Sequence, residues 1–165
     1  LLDVKKGLNK KVKMISDGGI KFSGDIAKAL AAGADAVMIG SMLAGTSEAP
    51  GKIIKKKGKL FKVFRGMGSV GAMNKGSADR YFQKKQKDKS KYVPEGVEGL
   101  IKYKGEVIKT IDKLVGGLRS SMGYLGAEQI KHLNKKAKFV KITKAGFYES
   151  MVHSIDEVKK NSEYL

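Results

Sequence analysis

Apolar positions in the first third of the chain change period from element to element. Val12, Met14 and Ile15 cluster in Lys11 to Ser16 and predict a short buried strand. Ser23 stands where a helix cap belongs, and Asp25 falls in the first turn, where the helix dipole favours an anion. Ile26, Ala27, Leu30 and Ala31 then share one helical face, and Gly33 is a natural stop. Ala36 to Ile39 is apolar without alternation, as in a parallel sheet covered on both faces. Met42 to Gly45 reads as the start of another helix. Two successive βα units predict an α/β fold.

The pattern loosens further on. Lys52 to Val63 predicts a basic hairpin turning at Gly58. Arg65 to Pro94 has four glycines at 66, 68, 71 and 76 and little periodicity, so it reads as a long loop of the functional or disordered kind. Gly105 to Met122 has helical spacing through Val107, Ile108, Ile111, Leu114, Val115 and Leu118, weakened by Gly116-Gly117. Ala127 to Lys136 predicts a short helix, Phe139 to Ile142 a strand, and the tail from Thr143 irregular structure. Two parallel strands alone leave open edges. Together with a start at Leu1 rather than methionine, this suggests the later portion of a larger α/β protein.

Composition narrows the class. Hydrophobic content of 41% is that of an ordinary soluble domain, and Lys28 and Asp35 interrupt the most apolar stretch, so no membrane span is expected. The absence of cysteine excludes disulfides and thiolate metal sites and fits a reducing cytoplasm. A net charge of +18 attracts polyanions, but the lysines are scattered and no aromatic residues interleave with them. Nucleic acid is therefore not the expected partner.

Chemistry concentrates at the glycine turns. Asp17, Gly18 and Gly19 end the first strand, and Gly40 and Ser41 end the second. Ligands of parallel α/β folds sit at such strand ends, and exposed turn amides suit phosphate oxygens. Asp17 suits a ribose hydroxyl pair, and Ser41 can donate its hydroxyl. The same glycines could equally serve only to make tight turns. Gly66, Met67 and Gly68 could wrap a planar ligand or bend a loop. Arg80 and Tyr81 could stabilise an anion or serve as a base if a closing loop buries them. Glu95 is a further acid or acceptor, and Glu149 with Ser150 a candidate cation contact. His132 and His153 lack metal-ligand spacing.

The ordered motifs SDGGIKFSGDIAKALAAGADAVMIGSMLAGT, EAPG, RGMGSVGAM, GSADRYFQ, VPEGVEG, GGLRSSMGYLGA and FVKIT…ES resemble the C-terminal part of bacterial inosine-5′-monophosphate (IMP) dehydrogenases, over roughly residues 15 to 153. The resemblance implies the last two βα units of a (β/α)8 barrel, with strands seven and eight at Lys11–Ser16 and Ala36–Ile39. It implies a K⁺-activated homotetramer, often carrying inserted CBS modules, that oxidises IMP to xanthosine 5′-monophosphate (XMP) with NAD. By the same resemblance, Asp17 holds the ribose, and Gly18, Gly19, Gly40 and Ser41 form the phosphate region. Gly66, Met67 and Gly68 lie along the nucleotide, and Glu95 meets the hypoxanthine ring. Arg80 and Tyr81 belong to the mobile flap, where the arginine activates water. Glu149 and Ser150 help hold K⁺ across a subunit boundary.

Departures from the family pattern matter as well. The family's nucleophilic cysteine lies upstream of the matching segment, so this segment alone is expected to be inactive. Phe64 stands where the family commonly has tyrosine, and Met151 where bacterial members often have histidine. GMP reductase shares the barrel and the nucleotide site but lacks the Arg-Tyr flap. A non-catalytic nucleotide- or RNA-binding fragment is a third reading. The expected division is 1–50 for the βα units, 51–100 for hairpin and flap, 101–142 for C-terminal helices and a closing strand, and 143–165 for the tail.

Overall fold

A computed structural model describes residues 1–9, 11–81, 93 and 96–151. Helix α1 (Leu2–Gly7), which the sequence pattern did not predict, precedes strand β1 (Ile15–Asp17), helix α2 (Ser23–Ala31) and strand β2 (Ala36–Met38). β1 and β2 pair in parallel, with Ile15 opposite Ala36 and Asp17 opposite Met38. The first strand is shorter than expected and shifted so that Asp17 lies within it. Asp35 fixes this register. Its carboxylate accepts from the Met14 amide (3.0 Å) and from Lys13 (2.9 Å), while its own amide donates to the Met14 carbonyl (2.8 Å). The Met14 amide foremost, then Lys13, hold its carboxyl below the ordinary 3.8.

α2 begins where the sequence places it, but Ser23 is its first residue rather than its cap. Asp25 does the capping, accepting from the Lys21 and Phe22 amides at 3.0 Å each. Burial raises its carboxyl, yet the Lys28 hydrogen bond and these two amides outweigh burial and leave it lowered. Such reach-back from the third helical position is one half of a capping box.

The basic hairpin is present as β3 (Ile53–Lys56) and β4 (Lys59–Arg65), turning at Lys57-Gly58. It gains a third strand that the pattern did not reveal, β5 (Glu98–Lys102), antiparallel to β4 with Phe61 opposite Lys102 and Arg65 opposite Glu98. β5 is largely exposed and carries Gly99, so it lacks the apolar alternation of a half-buried strand. Among the described residues the sheets do not close into a barrel: they form a parallel pair and a three-stranded antiparallel sheet.

The expected loop after Arg65 is helical in its described part. Short α3 (Val70–Ala72) runs into a π turn over Met73–Ser77 and a 3₁₀ turn over Ala78–Tyr81. Met73 and Ala78 are buried against Val70, a small local core that orders the segment. Met42–Gly45 makes only turns, because Lys104 and Gly105 capture the backbone from Gly45 onward.

Helix α4 (Val107–Tyr124) starts and ends two residues later than expected. The predicted helix over 127–136 reduces to a 3₁₀ turn (Ile130–His132) and α5 (Leu133–Lys136). The predicted strand Phe139–Ile142 is extended chain with no ladder. Val140 is 80% exposed, and no described strand lies beside it. The tail instead forms α6 (Lys144–Glu149), capped by Thr143 Oγ1 accepting from the Gly146 amide (3.1 Å). No described helix is long and apolar enough to cross a membrane.

The main core joins Ile20, Ile26, Ala29, Leu30 and Ala31 to Leu114, Ala127 and Leu133, the last fully buried. α2 packs against α4 at Gly117, where a Cβ would overlap the Ser23 side chain, whereas one at Gly116 meets open space. The glycine pair that weakened the helical pattern is therefore a packing notch. Gly117→Ala is expected to destabilise the fold by about 1–3 kcal/mol through overpacking. Gly116→Ala is expected to stabilise it by up to about 1 kcal/mol through helix propensity. Urea unfolding of both variants measures the opposite signs.

Candidate functional site

Both predicted glycine turns leave the same edge of the parallel pair. Gly18 and Gly19 follow β1 with φ of 85° and 77°, the left-handed region open to glycine at little cost. Gly40 follows β2, and its carbonyl accepts from the Leu43 and Ala44 amides (3.0 and 3.1 Å). Asp17 and Ser41 are exposed beside these turns.

The two turns open into different hollows. Gly40 lines a cleft of about 620 Å³ together with Thr46, Phe64, Arg65, Lys75 and Ser77. Gly18 and Gly19 line another of about 490 Å³ with Ser16, Asp25, Lys28 and Phe139. The first cleft thus unites the second turn, the end of β4 and the helical segment after it. A third hollow, of about 460 Å³, gathers Lys21, Lys104, Lys109 and Lys113 beside Phe22 and Met42. Lysines scattered in sequence do converge there, which the reading of isolated surface charges did not anticipate.

The β4–β5 ladder continues past its last residues. The Gly66 amide donates to the Val97 carbonyl (2.8 Å), and the Gly96 amide to the Gly68 carbonyl (3.0 Å). This holds Gly66-Met67-Gly68 in a fixed path with Met67 half exposed. Ser77 Oγ donates to the Met67 carbonyl (2.6 Å), and the Arg80 guanidinium approaches Met67 Sδ at 4.0 Å. Arg80 and Met67 are therefore brought together. The predicted Glu95 lies outside the described residues, as does the Tyr81 side chain. Glu149 and Ser150 lie at the exposed end of α6, where Ser150 Oγ donates to the Phe147 carbonyl (2.7 Å). No group of three or more acidic or histidine side chains among the described residues could hold a metal ion.

The cleft depends on residues that the site reading did not single out. Lys62 is only 2% exposed, and its ammonium donates to the carbonyls of Thr46 (2.5 Å) and Ser47 (2.7 Å). Glu48 accepts from the Val107 amide with both oxygens (2.9 and 3.1 Å), so a remote loop caps α4. The Ser47 amide donates to the Gly105 carbonyl (2.8 Å), and the Lys104 amide to the Gly45 carbonyl (2.8 Å). A Cβ at Gly51 would overlap the Val63 carbonyl, so this loop lies flat on the sheet. The one sequence signal was a glycine-proline cluster, Gly45 to Gly51, which marks a loop but not its partners.

These elements match known proteins. A model of the IMP dehydrogenase / GMP reductase domain matches residues 2–153. The chain belongs to this family. The inosine-5′-monophosphate dehydrogenase of Bacillus subtilis is 56% identical over 151 residues, which are 92% of this chain and 30% of that protein. That of Cryptosporidium parvum is 55% identical over 153 residues, 93% of this chain and 38% of that protein. The chain thus spans well under half the length of these curated relatives. A crystal structure of Trypanosoma brucei GMP reductase in complex with guanosine 5′-monophosphate aligns with TM-score 0.74 at 47% identity, over 87% of this chain and 28% of that one. The parallel pair and its neighbours are thus an incomplete piece of the family's barrel.

Backbone amides with Ser47 and Lys62 nearby hold the Glu48 carboxyl below its ordinary 4.5, its own amide contributing most and burial opposing. A lowered folded pKa contributes stability that is present above the ordinary value and lost as pH falls through the folded one. Glu48→Gln is therefore expected to flatten the loss of thermal stability below pH 4.5, while the unsubstituted chain declines more steeply. A calorimetric pH series of both proteins checks this.

Proposed function

We propose that the full-length protein is an IMP dehydrogenase, catalysing IMP + NAD⁺ + H₂O → XMP + NADH + H⁺ in guanine nucleotide synthesis. The observation that carries this reading is the cleft joining Gly40, at the end of a parallel strand, to Phe64 and Arg65 on β4. It sits where phosphorylated ligands bind in parallel α/β folds. Both relatives named above as dehydrogenases support the same reading.

In this reading the amides of Gly18, Gly19, Gly40 and Ser41 receive the phosphate, and the Asp17 carboxylate accepts from the ribose hydroxyls. Gly66-Met67-Gly68 passes along the nucleotide, and Glu95 meets the purine ring. NAD, when bound, accepts the hydride. The covalent bond to C2 of the purine comes from a cysteine outside this segment. Arg80, with Tyr81 beside it, then takes a proton from the water that hydrolyses that bond. Closure of the flap would exclude bulk water from the reacting atoms around Arg80. Glu149 and Ser150 offer oxygen atoms to K⁺, with the remaining donors supplied by other parts of a homotetramer. A charged phosphate-ester substrate, which does not cross membranes unaided, supports a cytoplasmic location.

A specific observation favours a second reading. The structural neighbour is a GMP reductase holding guanosine 5′-monophosphate. Against it stands GSADRYFQ, residues 76 to 83, since a reductase hydrolyses no intermediate and has no use for Arg80.

The test is NADH formation by the full-length product of the gene encoding this chain, given IMP, NAD⁺ and K⁺. NADH is expected. NADPH consumption with GMP and no NADH would establish the reductase instead. Arg80→Ala should slow hydrolysis at least tenfold more than hydride transfer, about 1.4 kcal/mol of selective transition-state loss. Equal losses in pre-steady-state kinetics would remove Arg80 from the hydrolytic step. Phe64→Tyr should tighten IMP binding by roughly 0.5–1.5 kcal/mol, the worth of one hydrogen bond. Titration calorimetry reads that change.

A further inference from the structure

We infer that Lys62 is a positioning residue, the buried cation that holds the two walls of the nucleotide site in register. The inference rests on the nucleotide reading above. Among the described residues Lys62 is the one buried cation in a chain otherwise covered by exposed lysines. It lies on the central strand of its sheet, opposite Ile53 on β3 and Ile101 on β5.

Its ammonium meets two consecutive carbonyls, those of Thr46 and Ser47, from a segment 15 and 16 residues away. Two adjacent carbonyl oxygens aimed at one point need a donor with more than one proton and positive charge, which an ammonium supplies. Thr46 is itself buried and tied back to Leu43, through both its amide (3.1 Å) and its hydroxyl (2.8 Å). Leu43 in turn bonds the Gly40 carbonyl (3.0 Å). An unbroken chain of hydrogen bonds therefore runs from Lys62 to the turn assigned to phosphate.

In the other direction, Lys62 and Phe64 are two residues apart on one strand and so share a face. Phe64 and Gly40 line the same cleft. One side chain thus ties the Gly40 wall to the Phe64 wall. Other contacts join the same segment to the sheet at Gly51 and at Gly45 to Ser47, but the Lys62 ammonium is the side-chain tie from β4 to the Thr46 and Ser47 carbonyls. The phosphate, which both walls border, is the part of the ligand that depends most on that spacing.

The experiment compares the affinities of the full-length gene product for IMP and for inosine, which lacks the phosphate, by titration calorimetry. Lys62→Met is expected to weaken IMP binding roughly tenfold, the scale of one lost charge-assisted contact, and inosine binding by less than about threefold. Lys55→Met, an exposed lysine on β3, should change neither. Parallel weakening of both ligands, or no change in either, would overturn the positioning role while leaving the nucleotide reading intact. If the unsubstituted protein binds no IMP, the nucleotide reading itself fails and takes this inference with it. Should Lys62→Met not fold by circular dichroism, Lys62→Gln, with two N–H donors on a shorter stem, is read in the same way.

Discussion

A buried ammonium is costly unless it is fully engaged, and removing its partners costs more than the pair contributes. Lys62 meets that condition through the Thr46 and Ser47 carbonyls, with the Glu48 carboxylate beside them. Around this point the Gly45–Gly51 segment makes several of the contacts that shape one side of the cleft. Its backbone pairs with residues 104 and 105, its acid caps α4, and its glycine lies against Val63. The antiparallel sheet and the parallel pair share no strand, so this loop is what connects them.

The arrangement divides labour between a rigid base and an adjustable edge. α2 and α4 lock together through the Gly117 notch and the Ile26, Leu30 and Leu114 core, fixing the parallel pair from one side. The segment from Gly66 to Tyr81 has only a small core of its own, Met73 and Ala78 against Val70. A segment with few buried contacts opens at low cost. That would suit the flap proposed above. The parallel pair leaves Ile15 and Met38 exposed, as a piece of a larger barrel would.

The sequence made the βα units legible because glycine turns, a helical face at Ile26 to Ala31 and an unalternating strand all agree. The glycine turns were equally readable as turns, and Gly18 and Gly19 adopt positive φ there. Less visible was whatever depends on a distant partner. Lys62 looked like one more surface lysine, because charge alone does not reveal that two carbonyls will converge on it. β5 was hidden by its exposure, and Glu48 by capping a helix that begins 59 residues later. Phe139 to Ile142 failed in the opposite sense: its β-rich composition predicts a strand, but a strand exists only where a ladder partner stands beside it.

The central claim is that the cleft between the Gly40 turn and the end of β4 receives the phosphate of a purine nucleotide. A crystal structure of the full-length gene product with IMP tests it most directly. The account predicts phosphate density within hydrogen-bond reach of the Gly40 and Ser41 amides, with the purine lying along Gly66 to Gly68. Phosphate density in the lysine-lined hollow of Lys21, Lys104 and Lys109, with the Gly40 cleft empty, would contradict it.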